Sequence, residues 1–342
     1  MELKIYLPED ITRYVKRCVG EKKYGECVQC TAATPEDFSV HLRRSDAEYV
    51  LLGIPENIGV QANPGKKGAA SAWEATLTML LNTQHNPLNN GNGLYVLGHL
   101  DVEKELAVFS TLNPDDNETL KKAGKLVEEI DKEVTYIIGK IVASGKKPIV
   151  IGGGHNNAYG IIKGCALALN RPLNAVNFDA HSDFRKRGRR HSENGFSYAF
   201  SEGFLQKYYI FGLHENYTSG ALFKKLKKYE HHIQYSTFEE IAVQQKKSFA
   251  YHLNHALIHV SKSAFGIEVD CDAIAGVPSS TMTPSGFSVN HARRFVTAMG
   301  NHRNARYLHI CEAAPDPANE REMEQTGKLI AYLITDFMKK RP

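Results

Sequence analysis

Short apolar segments alternate with segments of helical periodicity along most of this sequence of 342 residues. The clearest example is the stretch 118–143, whose apolar residues recur every three or four positions, followed by the apolar run 148–151. The first pattern predicts an amphipathic helix, and the second predicts a short buried strand. Strands that alternate with helices of this length pair in parallel through crossover connections. We therefore expect an α/β fold with a mostly parallel sheet.

The same reasoning assigns elements to the rest of the chain. Strands are predicted at 49–54, 94–97, 148–151, 173–178, 208–211, 264–269 and 307–311. Helices are predicted at 11–19, 69–81, 118–143, 158–169, 219–229, 249–261, 290–299 and 323–338. An ordered loop is expected at 55–68, because glycine and proline follow the strand there. Since no low-complexity linker divides the chain, we predict one domain over residues 46–342, preceded by an N-terminal arm over residues 1–45.

Charge and cysteine usage exclude several kinds of protein. The net charge is only +4, and the basic runs 185–190 and 224–228 are local, so a solvated face is favoured over a nucleic-acid surface. The six cysteines lack a disulfide-framework spacing, and the lone Cys27-x-x-Cys30 has no second pair to complete a zinc site. No apolar run approaches the ~20 residues that span a bilayer. We expect a cytoplasmic protein with reduced thiols and no membrane partner.

Side chains that bind metals follow three of the predicted strands. They are His155 after Gly154, the alternating set Asp179, His181 and Asp183, and the pair Asp270 and Asp272. Alternate residues of extended backbone share one side. In a parallel sheet the carboxyl ends of the strands lie along one edge, where ligands bind. The sequence therefore predicts that six ligand-type side chains converge there.

The chemistry of these six side chains favours two divalent ions. Four carboxylates balance the charge of two such ions, whereas without metal they would repel one another and shift each other's protonation. Oxygen-rich ligation with two imidazoles favours Mn²⁺, with Zn²⁺, Co²⁺ or Fe²⁺ as alternatives. Each segment alone has an ordinary explanation: a turn histidine, loop or capping aspartates, or a phosphate-binding turn at Gly152–Gly154. Because all three occur together at strand ends, the metal interpretation is favoured.

These motifs resemble the arginase family, also called ureohydrolases, from about Tyr49 to the C-terminus. The matching segments are Gly153-Gly154-His155, Asp179-Ala180-His181-Ser182-Asp183 and Asp270-Cys271-Asp272. The stretch 53–60 with Asn63, the tripeptide Asp183-Phe184-Arg185 and the segment 212–217 are more similar to the formiminoglutamase (formimidoylglutamase) branch than to arginases or agmatinases. The resemblance implies a three-layer α/β/α sandwich and a homo-oligomer, commonly a trimer or hexamer.

The resemblance also implies ligands and roles. His155, Asp179, Asp183 and Asp270 would hold one Mn²⁺, and Asp179, His181, Asp270 and Asp272 the second of two per chain. Glu312, in a segment similar to the family's Glu-Val-Asn-Pro, would bind the cationic C–N group of a small amidine or guanidine substrate. Asp183 would orient the attacking hydroxide and relay its proton. Such an enzyme would hydrolyse N-formimino-L-glutamate to L-glutamate and formamide, a step of histidine degradation.

Substrate choice rests on fewer residues. Arg185 is expected to pair with a substrate carboxylate, or alternatively with a neighbouring acid such as Glu193, and Asn194 is expected to contact the substrate. The loop 192–195 departs from the family, because it lacks the proton-shuttling histidine of arginases and carries Glu193 where a small residue is expected. The alternatives are therefore another ureohydrolase of the agmatinase, guanidinobutyrase or arginase type, or a catalytically silent family member. A nucleotide-binding protein that uses Gly152–Gly154 is a third alternative.

Overall fold

The computed structural model describes residues 1–30, 38–63, 69–111 and 116–339. Part of the predicted loop after the first central strand, residues 64–68, lies outside these ranges. The described strands are β1 (Glu2–Ile5), β2 (Tyr49–Gly53), β3 (Leu94–Asp101), β4 (Lys147–Ile151), β5 (Leu173–Phe178), β6 (Leu205–Leu213), β7 (Ile233–Thr237), β8 (Phe265–Asp270) and β9 (Ala305–Cys311). The described α-helices are α1 (Pro8–Thr12), α2 (Phe38–Arg44), α3 (Ile58–Gln61), α4 (Ala72–Leu80), α5 (Glu103–Ser110), α6 (Asn117–Ala143), α7 (Asn157–Leu169), α8 (Gly195–Ser201), α9 (Gly220–Lys228), α10 (Phe249–Val260), α11 (Val289–Gly300) and α12 (Glu320–Met338).

All nine strands form a single sheet, in the order β1-β3-β2-β4-β9-β8-β5-β6-β7. Every pairing is parallel except that of β1 with β3. The seven predicted strands are all present. The two strands that were not predicted, β1 and β7, are the edge strands, and both leave part of their side chains exposed or half-buried. The predicted, mostly parallel α/β sheet is confirmed.

Helices cover both faces of the sheet, because successive residues of each central strand point to opposite sides. In β2, Leu51 packs into a core with α4, α10, α11 and α12. Its neighbours Val50 and Leu52 pack into a second core with α2, α6, α7 and α8. The three layers implied by the family resemblance are therefore confirmed. Among the described residues, no helix is long and apolar enough to cross a membrane, and all six cysteines are free thiols.

The predicted helix at 11–19 is wrong in its position and length. The observed helix α1 begins at Pro8, where Asp10 Oδ2 accepts a hydrogen bond from the backbone N–H of Leu7 at 2.9 Å. Beyond the end of this helix, the side chain of Asn82, just after α4, forms hydrogen bonds with backbone groups that a longer helix would use itself. Asn82 accepts from the N–H of Lys16 at 2.7 Å and donates to the carbonyl of Tyr14 at 2.7 Å.

Candidate metal centre

The predicted metal ligands and the predicted substrate-binding residue Glu312 lie at the ends of strands that are neighbours in the middle of the sheet. His155 follows β4, Asp179 follows β5, Asp270 ends β8 and Glu312 follows β9, and these strands lie in the order β4-β9-β8-β5. The turn after β4 needs left-handed backbone, which Gly152 (φ 91°) and Gly153 (φ 72°) adopt without a Cβ penalty. The carboxyl edge of four adjacent strands therefore gathers these side chains, as expected for a parallel sheet.

Three carboxylates point at one nitrogen of His155. The Nδ1 atom lies 2.8 Å from Asp183 Oδ2, 3.1 Å from Asp270 Oδ2 and 3.3 Å from Asp179 Oδ2. Each of the four residues offers a ligand atom, all of these atoms lie within 4.8 Å of one another, and all four residues are buried. These are the residues that the family resemblance assigns to the first ion. Their donor chemistry suits a divalent cation of the manganese type.

His181 and Asp272 lie beside this group. His181 Nδ1 is 3.6 Å from Asp179 Oδ1 and 3.9 Å from Asp272 Oδ2. The carboxylate of Asp272 also accepts hydrogen bonds from the backbone N–H of Thr281 at 2.9 Å and from the hydroxyls of Ser280 and Thr281 at 3.1 and 2.5 Å. The structure thus brings together all six residues, while their ligation of two ions stays a prediction.

Burial and repulsion from neighbouring carboxylates oppose the ionised forms of Asp183 and Asp270 in the absence of metal. Burial, followed by the charges of Asp179 and Asp272, raises the pKa of Asp270 well above its ordinary value. Burial and the charge of Asp179 raise the pKa of Asp183. Burial alone would also raise the pKa of Asp179, but hydrogen bonds and charges from His155 and His181 bring it below its ordinary value. A bound cation would relieve this repulsion.

Two non-glycine residues of the site adopt left-handed backbone, Asp183 with φ 44° and Glu312 with φ 60°. Such backbone costs energy in residues with a Cβ and is concentrated at functional sites. Glu312 is buried; its Oε1 accepts from the N–H of His155 at 2.6 Å, and its Oε2 has no hydrogen-bond partner among the described residues. Burial and the charge of Asp272 raise its pKa to about 8. Glu312 Oε2 is therefore available to a ligand in the cavity that it lines with Asp183 and Asp270.

Arg185 and Asn194 are not bonded to the ligand group. Arg185 is 56 % exposed and pairs with the carboxylate of Glu193, the alternative considered from the sequence, whereas Glu193 itself lines the cavity. Asn194 is buried; its Oδ1 accepts from Arg190 Nη1 and the N–H of His191, and its Nδ2 donates to the carbonyl of Arg189. Contact of Arg185 and Asn194 with substrate stays a prediction.

The basic run 185–190 is not simply the predicted solvated face, because Arg190 is buried. Its guanidinium makes a bidentate pair with Asp131 of α6, at 2.8 and 3.1 Å, and donates to the carbonyl of Asn156 at 2.9 Å. It also lies over the rings of Tyr159 and Tyr198 at about 5 Å. Arg190 therefore fastens the loop that carries Asp183 and Glu193 to the segment that carries His155.

The sequence interpretation missed two buried carboxylates that support the site. Glu56 accepts hydrogen bonds from the N–H groups of Gly59 and Gly154 and from the side-chain amides of Asn156 and Asn157, at 2.8 to 3.2 Å. Glu268 lies in β8, two residues before Asp270, and is fully buried. Burial would raise the pKa of Glu268, but the charge of His309 and hydrogen bonds bring it to about 2. For Glu268 the signal available in the sequence was a charged residue inside an apolar predicted strand. Glu56 lies in the predicted loop 55–68, where a charged residue is ordinary.

Comparison with known proteins agrees with this geometry. Residues 47–339 match a family model described as the arginase family. A protein named formimidoylglutamase from Streptococcus pyogenes is 26% identical over 238 residues, covering 67% of this chain and 66% of that protein, just under two thirds of its length. One of the same name from Macrococcus caseolyticus is 24% identical over 302 residues, 85% of each chain.

Solved structures share the fold. Trypanosoma cruzi formiminoglutamase with Mn²⁺ superposes with a TM-score of 0.70 at 17% identity, covering 94% of this chain and 100% of that one. Bacillus subtilis formimidoylglutamase superposes with a TM-score of 0.69 at 16% identity, covering 94% of this chain and 93% of that one. At 16–17% identity, this structural likeness shows a shared fold and nothing beyond it.

Proposed function

This chain belongs to the arginase family, and we propose that it is a manganese-dependent amidinohydrolase that converts N-formimino-L-glutamate and water into L-glutamate and formamide. The observation that carries the proposal is the convergence of His155, Asp179, Asp183 and Asp270 beside the unpartnered oxygen of Glu312. The names of the curated relatives, formimidoylglutamases, support this substrate.

In this proposal the six clustered residues hold two Mn²⁺ ions. His155, Asp179, Asp183 and Asp270 bind one ion, and Asp179, His181, Asp270 and Asp272 bind the other. The manganese in the T. cruzi structure supports the choice of ion. Bound there, divalent ions act as Lewis acids and lower the pKa of bound water, so that hydroxide is available near neutral pH.

The remaining steps depend on residues of the chain. The buried Glu312 Oε2 accepts hydrogen bonds from the cationic formimino group and holds its carbon in the cavity, where charge-assisted bonds are strong. Asp183 accepts the proton of the attacking water and passes it to the departing nitrogen, so that the C–N bond breaks and the neutral amine is released. The hydroxyl proton left on the formamide product then passes to this amine, so that L-glutamate leaves with an ammonium group. The hydrogen bond from the N–H of His155 to Glu312 Oε1 keeps the substrate-binding and metal-binding groups in register.

The other parts of the proposal follow from the family and from the sequence. We place the enzyme in histidine degradation, as a cytoplasmic homo-oligomer, a trimer or hexamer, with a catalytic domain over residues 46–342 and an arm over residues 1–45. Strand β1 of that arm pairs with β3, so the arm contributes to the edge of the sheet.

The proposed function is tested by a substrate panel on the manganese-loaded protein. Formamide and L-glutamate should appear in equal amounts from formiminoglutamate, and chelation should stop their release. Arginine, agmatine and guanidinobutyrate should give little or no urea. Urea release without formamide would identify another ureohydrolase, and a metal-loaded protein inert to the whole panel would identify a catalytically silent member.

The pair of Arg185 and Glu193 yields a prediction about substrate affinity. We expect a substrate carboxylate to replace Glu193 as the partner of Arg185, because the guanidinium group can bind either carboxylate. Arg185→Ala should then raise KM for formiminoglutamate roughly 10- to 100-fold, since hydrogen bonds to charged groups contribute about 1.5–3 kcal/mol. Glu193→Gln should lower KM, because the competing carboxylate is removed.

Steady-state kinetics at saturating Mn²⁺ measure both effects. Lys186→Ala, at the exposed neighbouring position, is the matched control and should leave KM unchanged. If Arg185→Ala leaves KM unchanged while both ions stay bound, Arg185 does not contact the substrate.

A further inference from the structure

Glu268 occupies a buried position directly below the candidate metal centre. It lies two residues before Asp270 in β8, so both side chains are on the same face of the strand. Asp270 is at the carboxyl edge, next to His155, and Glu268 is one step further into the sheet. Its relative exposure is 0 %. A buried carboxylate is costly unless it is fully bonded, which makes its partners informative.

Both oxygens of Glu268 have partners on β9 or in the site. Its Oε1 accepts a hydrogen bond from the hydroxyl of Tyr307 at 2.6 Å, and its Oε2 lies 2.6 Å from His309 Nδ1. The same Oε2 lies 3.5 Å from His155 Nε2. Gly266 makes this arrangement possible, because a Cβ there would lie 2.0 Å from the ring of Tyr307. The network is therefore built into two neighbouring strands.

The two ring nitrogens of His155 face different groups. Nδ1 points at the carboxylates of the candidate metal centre, while Nε2 is buried and has no hydrogen-bond partner within the described ranges. Cys311 also lies near this ring, but its thiol is directed at the carbonyl of Val269 at 3.7 Å, and sulfur is a weak acceptor. Glu268 is thus the carboxylate that faces Nε2.

We propose that Glu268 is the positioning residue of the metal centre: when an ion is bound, Nε2–H of His155 donates a hydrogen bond to Glu268 Oε2, which lies 3.5 Å from Nε2 in the structure, and Nδ1 faces the metal. A histidine that binds metal through one nitrogen commonly donates its other N–H to a carboxylate, which fixes the tautomer and ring orientation and increases ligand basicity. Tyr307 and His309 hold the carboxylate in place. The inference rests on the metal site of the proposed function and extends it to a residue outside the ligand set.

A purely structural role is the alternative. In that case Glu268 would serve only as the partner of Tyr307 and His309, and its loss would weaken folding without changing affinity for metal. The two roles differ in a measurable quantity, the dissociation constant of the bound ion, which can be determined without any substrate.

The test compares Mn²⁺ affinity, by competition with a chelator, in the wild-type protein, Glu268→Gln and Tyr307→Phe. Glu268→Gln keeps the size of the side chain but removes its charge, and it should weaken Mn²⁺ binding roughly 10- to 100-fold. Saturating Mn²⁺ should largely restore turnover with an unchanged KM. Tyr307→Phe removes only the bond to Oε1, and its Mn²⁺ affinity should stay near that of the wild type.

Unchanged Mn²⁺ affinity in a folded Glu268→Gln would overturn the assignment, and failure of the wild-type protein to bind Mn²⁺ would instead refute the metal centre itself. If Glu268→Gln does not fold, ¹⁵N NMR of the wild-type protein loaded with diamagnetic Zn²⁺ decides. The resonance of His155, identified by its loss in His155→Asn, should show a protonated, slowly exchanging Nε2. A proton on Nδ1 would contradict the proposal.

Discussion

Asp270→Asn should give a folded protein that gains no thermal stability from Mn²⁺ and turns over substrate roughly 10³-fold more slowly than the wild type. Asp270 Oδ2 lies 3.1 Å from His155 Nδ1, and we assign the residue to both ions. Loss of the metal removes a Lewis acid that contributes several kcal/mol to catalysis, and each 1.36 kcal/mol changes the rate tenfold. Thermal melting with Mn²⁺ and with chelator, elemental analysis and kinetics measure these effects.

In the absence of metal, Asp270→Asn should be no less stable to heat than the wild type. Burial, followed by the charges of Asp179 and Asp272, raises the pKa of Asp270, so its ionised form is unfavourable when no cation is bound. Metal-free Asp270→Asn should therefore melt at the same temperature as the metal-free wild type, or higher. Asp46→Asn, at an exposed position, is the control and should keep the full Mn²⁺-dependent shift. A similar shift in Asp270→Asn would remove Asp270 from the ligand set.

The central strands could be predicted from the sequence because burial on both faces makes them continuous apolar runs. Strands β4 and β5 are examples, with Val150 and Val176 at 0 % exposure in opposite cores. The edge strands β1 and β7 escaped prediction because they bury only part of their side chains. Their pairing depends on neighbours that are distant in sequence, and a local pattern contains no information about these.

The candidate ligands could be predicted for a related reason. Each follows an apolar run, and the topology of a parallel sheet brings the ends of such runs together. Glu268 and Arg190 were missed because their roles depend on tertiary partners: Tyr307 and His309 for the first, and Asp131 for the second, 59 residues away. Local sequence shows that these residues are charged, but burial and pairing arise only in the folded chain.

Backbone strain links the fold to the site. Asp183 and Glu312 adopt positive φ, which costs on the order of 1–3 kcal/mol per residue and persists only when the surroundings impose it. At Glu312 the N–H donates to the carbonyl of Gly153 at 3.1 Å, and the carbonyl accepts from the N–H of Ser280 at 3.1 Å. These bonds connect the turns after β4 and β9 with the segment after β8. The strained backbone thereby turns the carboxylate of Glu312 into the cavity.

Glu312→Gln should reduce kcat/KM for formiminoglutamate roughly 10²- to 10³-fold while both ions stay bound. Glutamine keeps the size of the side chain and can still accept the hydrogen bond from the N–H of His155, so the backbone at φ 60° bears no new strain. It removes the negative charge that would pair with the formimino cation, and loss of one preorganised electrostatic contact in an active site commonly costs this much.

The measurement combines steady-state kinetics with metal analysis. Glu320→Gln, at the exposed start of α12, is the matched control, because it removes the same charge outside the site and should leave kcat/KM unchanged. Loss of Mn²⁺ from Glu312→Gln would show that Glu312 supports the metal rather than the substrate. Near-normal turnover with both ions bound would mean that another group binds the formimino cation. A large loss of turnover with metal retained is the result that separates the residue that holds the substrate from the six that hold the ions.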